Sequence, residues 1–361
     1  MYKITSKNKT ARTGILKTSH FSVETPFFMP VATRASVKHI SSSELNEMGC
    51  GAIIANAFHL YLKPGTALIK KAGGLHKFMN FGRCIFTDSG GFQILSSDFF
   101  VGRTNNGVVF KSYENKQHIM TPEKCMEIQQ ELGSDVAMTL DDVPKYGGSR
   151  EHIEKSMEMT HKWAERCKDS HKGKQLLFGI AQGSVFKDLR ERSVKFIDSL
   201  DFDGVALGGL CIGEGKADMH KMVKVSVPHI SEEKPRYLMG VGSPEDIIES
   251  IGMGIDIFDS AFPTQNARHG CIFTKKGKIQ VEKARFANDF KPVDDCKCSV
   301  CQNYTRAYLN HLFRAKEMLG MRLASYHNLF FIHELLRNAR KAISKGEFLK
   351  FKKSFLKIYL H

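Results

Sequence analysis

Between residues 27 and 260 the chain alternates short, almost continuous apolar runs with longer segments whose apolar residues recur at helical spacing. Eight runs stand out: FFMPV (27–31), AIIAN (52–56), CIFTD (84–88), VAMTLD (136–141), LLFGIAQ (176–182), GVALGG (204–209), RYLMGVG (236–242) and IDIFDS (255–260). Continuous rather than alternating hydrophobicity is what a strand needs when both faces are covered, as in a parallel sheet wrapped by helices. Some of the intervening helices announce their starts. Thr121-Pro122 and Ser243-Pro244 each set a capping hydroxyl before a proline at the first helical position, and Asp246, three residues after Ser243, completes a capping-box pattern.

Eight strand-helix units predict an α/β fold, a (β/α)8 TIM barrel. Residues 1–25 precede it as an antiparallel cap, and residues 97–120, with GRTNNGVVFKSYENKQH, read as a hairpin insertion. After the eighth strand the character changes to amphipathic segments such as NYTRAYLNHLFRAKEML. The expected organisation is a catalytic barrel with its insertions over 1–289 and a helical subdomain packed on it over 290–361.

At 361 residues and 42% hydrophobic content the chain can bury a sizeable core. No run approaches the roughly 18 to 20 apolar residues of a membrane span, and the polar start MYKITSKNKTARTG lacks a signal peptide's apolar stretch, so the cytoplasm is the expected location. Nine cysteines, three of them crowded at 296, 298 and 301, do not resemble a disulfide framework. Cys296, Cys298 and Cys301, followed by His327, supply three thiolates and an imidazole, a complete tetrahedral set for Zn²⁺. Four protein ligands leave no position for water, so one structural zinc per chain is expected, holding the tail against the barrel. Taken alone, His327 would read as a surface or helix-face histidine. The formal charge of +15 is unevenly placed, residues 275–361 holding 19 Lys and Arg against 7 Asp and Glu. A basic face of that size suits a polyanion, because each neutralised phosphate releases condensed counterions; a generally lysine-rich composition would give the same total.

Barrels of this kind carry their reactive groups at the carboxyl ends of the strands. Here Asn56, Asp88, Asp141, Gln182, Gly208-Gly209, Met239-Gly240 and Asp259 end seven different runs and would converge on one mouth. A single strand-end Asp is often only a helix cap or turn former. Three on one rim suit acetal chemistry, in which one carboxylate attacks an anomeric carbon while a second carboxyl group manages the proton. The same logic fits a nucleoside, with the base as leaving group. No cluster of rim histidines or cysteines equips the pocket as a metal hydrolase.

The residues themselves carry a resemblance. TDSGGFQIL (87–95), FGIAQGSV (178–185), LGGLCIGEG (207–215), YLMGVGSPEDI (237–247), GIDIFDSAFPTQNARHG (254–270) and CKCSVCQNYTRAYLNHL (296–312) resemble the tRNA-guanine transglycosylases, more closely the bacterial type, in the family's order. The resemblance implies guanine exchange at wobble position 34 of tRNAs with GUN anticodons (Asp, Asn, His and Tyr), in queuosine biosynthesis, through a covalent tRNA-enzyme intermediate. It casts Asp259 as nucleophile on the ribose C1′ and Asp88 as general acid/base, with Asn56 and Ser89 positioning Asp88 and the base. It gives Asp141 to the N1 and N2 hydrogens of a guanine-like ring, and Gln182 and the Gly209 N–H, beside Gly208, to its exocyclic oxygen. Phe92 and Met239, the latter followed by Gly240, would sandwich the ring, and the Leu210 carbonyl and Glu214 would recognise a cationic aminomethyl group. Gln265, Asn266, Ala267, Arg268 and His269 match the anticodon-contacting stretch, although the bacterial pattern usually has Arg at the position of Gln265 and Asn at that of His269. The family also forms a homodimer near its zinc, in the stretch that holds Tyr304, Tyr308 and His311 here.

For the incoming base, bacterial members typically take preQ1 and carry Cys and Val where Val143 and Ile212 stand. Queuine-using relatives resemble LDDV at the first position but have glycine at the second, and Ile212 would crowd queuine's cyclopentenediol; preQ1 is therefore expected, with queuine as the alternative. A non-catalytic tRNA-binding subunit is disfavoured by the presence of both Asp88 and Asp259. An archaeal type acting on the D-arm is disfavoured by the absence of its tail domains.

Overall fold

The apolar runs pair side by side in chain order. In the computed structural model, which describes residues 1–95 and 99–360, three antiparallel strands come first: β1 (Tyr2–Asn8), β2 (Ala11–Lys17) and β3 (Ser22–Thr25). They form the cap expected over 1–25. Next are β4 (Phe27–Ala32), β5 (Ala52–Asn56) and β6 (Cys84–Asp88). The insertion follows as β7 (Phe100–Thr104), β8 (Gly107–Lys111) and β9 (Gln117–Met120), a three-stranded antiparallel sheet rather than a single hairpin; residues 97 and 98 of that expectation lie outside the described residues. Five further parallel strands, β10 (Val136–Met138), β11 (Leu176–Ala181), β12 (Gly204–Leu207), β13 (Arg236–Leu238) and β14 (Ile257–Ser260), complete the ring, and β14 closes on β4 with Asp259 opposite Met29. The antiparallel pair β15 (Cys271–Thr274) and β16 (Gly277–Gln280) leads into the C-terminal helices.

Each apolar run divides by strand alternation into two cores. Met29, Ile54, Phe86, Met138, Phe178, Ile180, Ala206, Tyr237 and Ile257 fill the barrel interior as one cluster. Their neighbours Phe28, Ile53, Ile85, Ala137, Leu177, Val205, Leu238 and Phe258 face outward into a larger core shared with the helices. That burial on both faces is why the runs lack polar alternation.

The helix signals hold with one change. Thr121 Oγ1 accepts from Lys124 N (3.1 Å) and Ser243 Oγ from Asp246 N (3.4 Å), each before a proline. Asp246 does not return the bond to the Ser243 backbone; its carboxylate takes the Ser243 hydroxyl and the Lys216 ammonium instead. The helix Met318–Ser344 packs against β1, β2, β4 and β15, and its apolar side continues the outer core. Asn328 pegs it by accepting from Phe273 N (2.9 Å) and donating to the carbonyls of Pro263 (3.1 Å) and Cys271 (3.0 Å). No helix among the described residues is long and apolar enough to cross a membrane.

At the amino-terminal end of the ring, Arg12 from the cap reaches the carboxylate of Asp256 through Nε (3.0 Å) and Nη2 (2.6 Å), both side chains being buried. Asp256 also accepts from Arg236 N (2.8 Å) and Tyr2 OH (3.1 Å), which fixes the start of β14. Breaking a buried pair from one side strands the other charge, at about 3 to 5 kcal/mol. Arg12→Met is therefore expected to lower the melting temperature by several degrees or more, and a Tm within a degree of the parent's would show that the pair does not fasten β14.

Candidate active site and metal centre

The strand ends meet at a cavity of about 360 Å³ at the carboxyl end of the barrel. Asn56, Asp88, Phe92, Asp141, Gly208, Gly209, Leu210, Met239, Gly240 and Asp259 all line it, together with Val143 and Ile212. Two other expected residues stand just behind its wall. Gln182, nearly fully buried, donates from Nε2 to Asp141 Oδ2 (2.7 Å), and buried Ser89 reaches Asp141 Oδ1 at 3.5 Å. Glu214 does not line the cavity; its carboxylate accepts the backbone N–H groups of Cys211 and Ile212 and so shapes the loop from within.

Asp88 ends β6 directly opposite Asn56 on β5, and the Asn56 Nδ2 points to Asp88 Oδ2 at 3.4 Å. Asn56 also caps the next helix by accepting from His59 N (3.0 Å), which holds its side chain in place. Gly91 runs so close to Asp141 that a Cβ there would stand 2.6 Å from the Asp141 carbonyl oxygen. Asp259 is anchored on one oxygen only: Oδ1 accepts from Tyr237 OH (2.6 Å) and Gly240 N (2.9 Å), while Oδ2 has no hydrogen bond among the described residues. That leaves one carboxylate oxygen free to act as a nucleophile.

Burial raises all three acids. The Asp88 carboxyl is pushed up to about 6, first by desolvation and then by the charge of Asp259, against hydrogen bonds from Gly90, Gln93 and Ser89. Asp141 rises to about 7, by desolvation and then by Asp88, with the Gln182 amide opposing. Asp259 is raised by desolvation, with Tyr237 and Gly240 opposing. Three carboxyl groups of raised pKa on one cavity can divide nucleophilic and proton-transfer work.

Tyr237 was not legible as a site residue. It sits inside RYLMGVG, reads as core and is fully buried; the available signal is that a buried phenol needs a hydrogen-bond partner. The stretch 265–269 lies on the helix Phe262–Arg268 and its C-cap, and none of its residues lines the cavity. Gln265 and His269 are exposed, Asn266 and Arg268 half-buried, and Ala267 is wholly buried in the outer core. An Nη1 of Arg268 has no partner among the described residues.

Cys296, Cys298, Cys301 and His327 form a group that could hold a metal ion. The three sulfurs stand 3.9, 3.3 and 3.4 Å from His327 Nδ1, spacings suited to ligands about a single tetrahedral ion. His327 Nε2 lies 2.7 Å from the Phe273 carbonyl, which requires it to carry the proton and leaves Nδ1 with its lone pair toward the sulfurs. A second group, His20, His76 and Asp135, sits at the amino-terminal end of the barrel. Its imidazoles are stacked 3.6 Å apart at 20° and meet different oxygens of the carboxylate, at 2.9 and 3.0 Å. His76 Nε2 also lies 3.1 Å from the Arg83 carbonyl and so carries its proton toward acceptors, an arrangement that suits a hydrogen-bonded latch better than a shared ion.

The family profile described as Queuine tRNA-ribosyltransferase (TGT) matches residues 6–361. The chain is 49% identical to the queuine tRNA-ribosyltransferase of Caldanaerobacter subterraneus subsp. tengcongensis over 353 residues, which covers 97% of this chain and 94% of that protein. Identity is 46% over 359 residues with the queuine tRNA-ribosyltransferase of Anoxybacillus flavithermus, covering 98% and 95%. It is 45% over 364 residues with that of Fusobacterium nucleatum subsp. nucleatum, covering 99% and 98%.

The raised acids also set a pH dependence of stability. A carboxyl group whose folded pKa lies above its unfolded value favours the native state at low pH, and that contribution is lost as pH rises through the folded value, here about 6 for Asp88 and about 7 for Asp141. Asp141→Asn removes the burden of ionising, so it is expected to melt several degrees above the parent at pH 8, on the order of 2 kcal/mol, with the difference vanishing near pH 4. An equal difference at both pH values would mean that Asp141 is not carried as a strained carboxylate.

Proposed function

The chain belongs to the tRNA-guanine transglycosylase family and is a pentosyltransferase; from that premise we propose that it exchanges guanine at wobble position 34 of GUN-anticodon tRNAs for preQ1, a step of queuosine biosynthesis. The observation that carries the reading is the shared cavity of Asp88 and Asp259, with one Asp259 oxygen anchored and the other free. Asp259 Oδ2 attacks C1′ of the ribose as the bond to guanine breaks, and the electron pair leaves with the base. Asp88, poised near 6, protonates the departing ring and then takes a proton from the incoming base, which displaces Asp259 and restores the original configuration.

Base recognition in this reading involves a change of partner. The Gln182 amide nitrogen rests on Asp141 Oδ2. A guanine-like ring would bring its N1 and N2 hydrogens to Asp141, freeing Gln182 to donate to the exocyclic oxygen beside the Gly209 N–H. Ser89 and Asn56 hold the carboxylates, and Phe92 and Met239 supply the two faces of the slot. The Cys211 N–H is directed at Glu214, so across the trans peptide the Leu210 carbonyl faces the opposite way, an arrangement that supports capture of the preQ1 ammonium. Val143 and Ile212 narrow the cavity where queuine would need room.

The target base must leave the anticodon stack, at a cost of a few kcal/mol. Exposed Gln265 and His269, half-buried Asn266 and Arg268, and the basic C-terminal region are the contacts we assign to the tRNA, with Ala267 contributing backbone and packing. We assign one structural zinc per chain to the Cys3His group, and the region 290–361 to a subdomain that this ion ties to the catalytic barrel 1–289. A cytoplasmic homodimer completes the reading.

Incubation with a GUN-anticodon tRNA and radiolabelled guanine is expected to give base exchange and a denaturation-resistant RNA adduct, and Asp259→Ala neither. Unchanged exchange in the variant would remove Asp259 from the nucleophile's role. Incorporation of preQ1 in preference to queuine tests the base. For the metal, elemental analysis is expected to find about one zinc per chain, lost together with several degrees of Tm in Cys298→Ser; a metal-free parent of full stability would overturn the assignment.

A further inference from the structure

A fully buried cation behind the cavity wall is not used by the scheme above. Arg190, on the helix Lys187–Ser199, has no exposed surface. Its Nη1 donates to the carbonyls of Ala181 (3.0 Å) and Gly208 (2.9 Å), and its Nη2 to that of Ser184 (2.9 Å). Among the described residues no carboxylate lies within ion-pair distance of it, the charge of Glu214 acting on it only from further off, and its Nε has no partner. Burial pulls the guanidinium down only to about 10, so it is charged at neutral pH. Burying a cation with no carboxylate in contact is expensive. Tethering two strand ends would not need the charge, since a neutral amide can also donate to carbonyls.

The peptide that Arg190 grips offers a reason. The Gly208 carbonyl and the Gly209 N–H belong to one amide unit. The Gly208 N–H is committed to the Ala181 carbonyl (3.0 Å), whereas the Gly209 N–H makes no hydrogen bond among the described residues and lies on the cavity. Gly209 has φ +65, and a Cβ there would stand 2.2 Å from Gln182 Oε1, so glycine is required for the backbone to present itself at this point. A cation bound to the carbonyl end of an amide draws electron density through it and strengthens the N–H at the other end.

We propose that Arg190 is a positioning residue for base exchange, which aims and polarises the Gly208-Gly209 peptide so that the Gly209 N–H stabilises charge on the exocyclic oxygen of the departing base. This rests on the reading of the cavity as a guanine site. As the bond from C1′ to the base breaks, its electron pair enters the ring and spreads to the exocyclic oxygen until the ring takes a proton from Asp88, while Asp259 forms the new bond to C1′. A donor already aimed at that oxygen stabilises the charge without reorganising.

The test uses the full chain with Arg190→Met, Arg190→Gln and Arg190→Lys, and reads two quantities. One is the kcat of guanine exchange on a GUN-anticodon tRNA. The other is the carbonyl stretching band of bound guanine labelled with ¹³C at its carbonyl carbon, which falls in frequency as the hydrogen bond to the oxygen strengthens. Arg190→Met is expected to lower kcat about tenfold, less than when such a donor is itself removed, and to move the band up toward its position in water, with Arg190→Lys recovering most of both. Should Arg190→Met fail to fold, Arg190→Gln decides, because it can tether the carbonyls without charge: an upshifted band supports polarisation, and a band at the parent's position overturns it. A folded Arg190→Met with the parent's band and kcat likewise overturns the proposal. A parent that gives no bound-guanine band would sink it together with the guanine-site reading, an outcome distinct from a change confined to the variants.

Discussion

Closure of the parallel ring by β14 on β4 is the constraint from which the rest follows. Pairing in register from Ile257 with Phe27 to Ser260 with Pro30 brings the last strand beside the first. Asp259 and Asp88, remote in sequence, then have only β4 and β5 between their strands. Because all eight strands run the same way, every carboxyl end opens on one side, and residues from separate units share one cavity without any loop having to fold back. A frayed β14 would remove the free carboxylate oxygen, the Tyr237 hydrogen bond and the anchored helix Phe262–Arg268 together.

The two ends of the barrel use the same residue type in opposite ways. At the amino-terminal end Asp256 is saturated by Arg12, Tyr2 and the Arg236 N–H, and Asp135 by His20, His76 and the Ile85 N–H, the latter held down to about 2 by those donors against the effect of burial. At the carboxyl end Asp141 is held by Gln182 and Ser89, and Asp259 by Tyr237 and Gly240. Asp88 accepts from Asn56, Gly90, Gln93 and Ser89 but stands beside another acid, the charge of Asp259 acting on Asp88 and that of Asp88 on Asp141. Carboxylates saturated by donors and free of a neighbouring acid fix strands, whereas those short of donors or set beside another acid retain free energy that a substrate's hydrogen bonds can release.

Much of this was legible in the sequence, for a definite reason. The eight runs locate the eight strands because burial on both faces leaves no polar interruptions. The runs overshoot at their carboxyl ends, where 136–141, 204–209 and 236–242 give strands that stop at Met138, Leu207 and Leu238. There the chain leaves extended geometry, with Gly209 and Gly240 at positive φ, and apolar or small residues turn into the pocket wall instead of continuing the ladder. The charged strand ends could be read as a site because their type and position agree. Read from sequence, Gln182, Ser89 and Glu214 face the site, whereas in the fold they stand behind the wall or within a loop; side-chain direction is not encoded by spacing. Tyr237 and Arg190 were hidden more deeply: one lies in an apolar run, and the other on the buried side of a helix whose pattern looks ordinarily charged. The second turn of the insertion, which makes three strands of the expected two, rests on Ser112–Lys116 backbone pairing in a polar stretch without a strong turn signature.

The Cys3His group and the cavity are separate in chemistry but joined in mechanics. His327 touches the Phe273 carbonyl through Nε2, and the next residue, Asn328, accepts from the N–H of the same Phe273. Asn328 then donates to the Pro263 carbonyl, four residues beyond Asp259. Adjacent side chains of one helix thus grip both sides of a β15 residue and the first turn of the helix that follows β14. An ion holding the three cysteines to His327 would fix the rotation of that long helix, because Nδ1 and Nε2 are then both committed. The path is made of short hydrogen bonds between buried groups, so small movements at the cysteines are transmitted instead of being absorbed by side-chain freedom. An ion held there would in this way bear on the placement of Gln265, Arg268 and His269 relative to the cavity without touching the base.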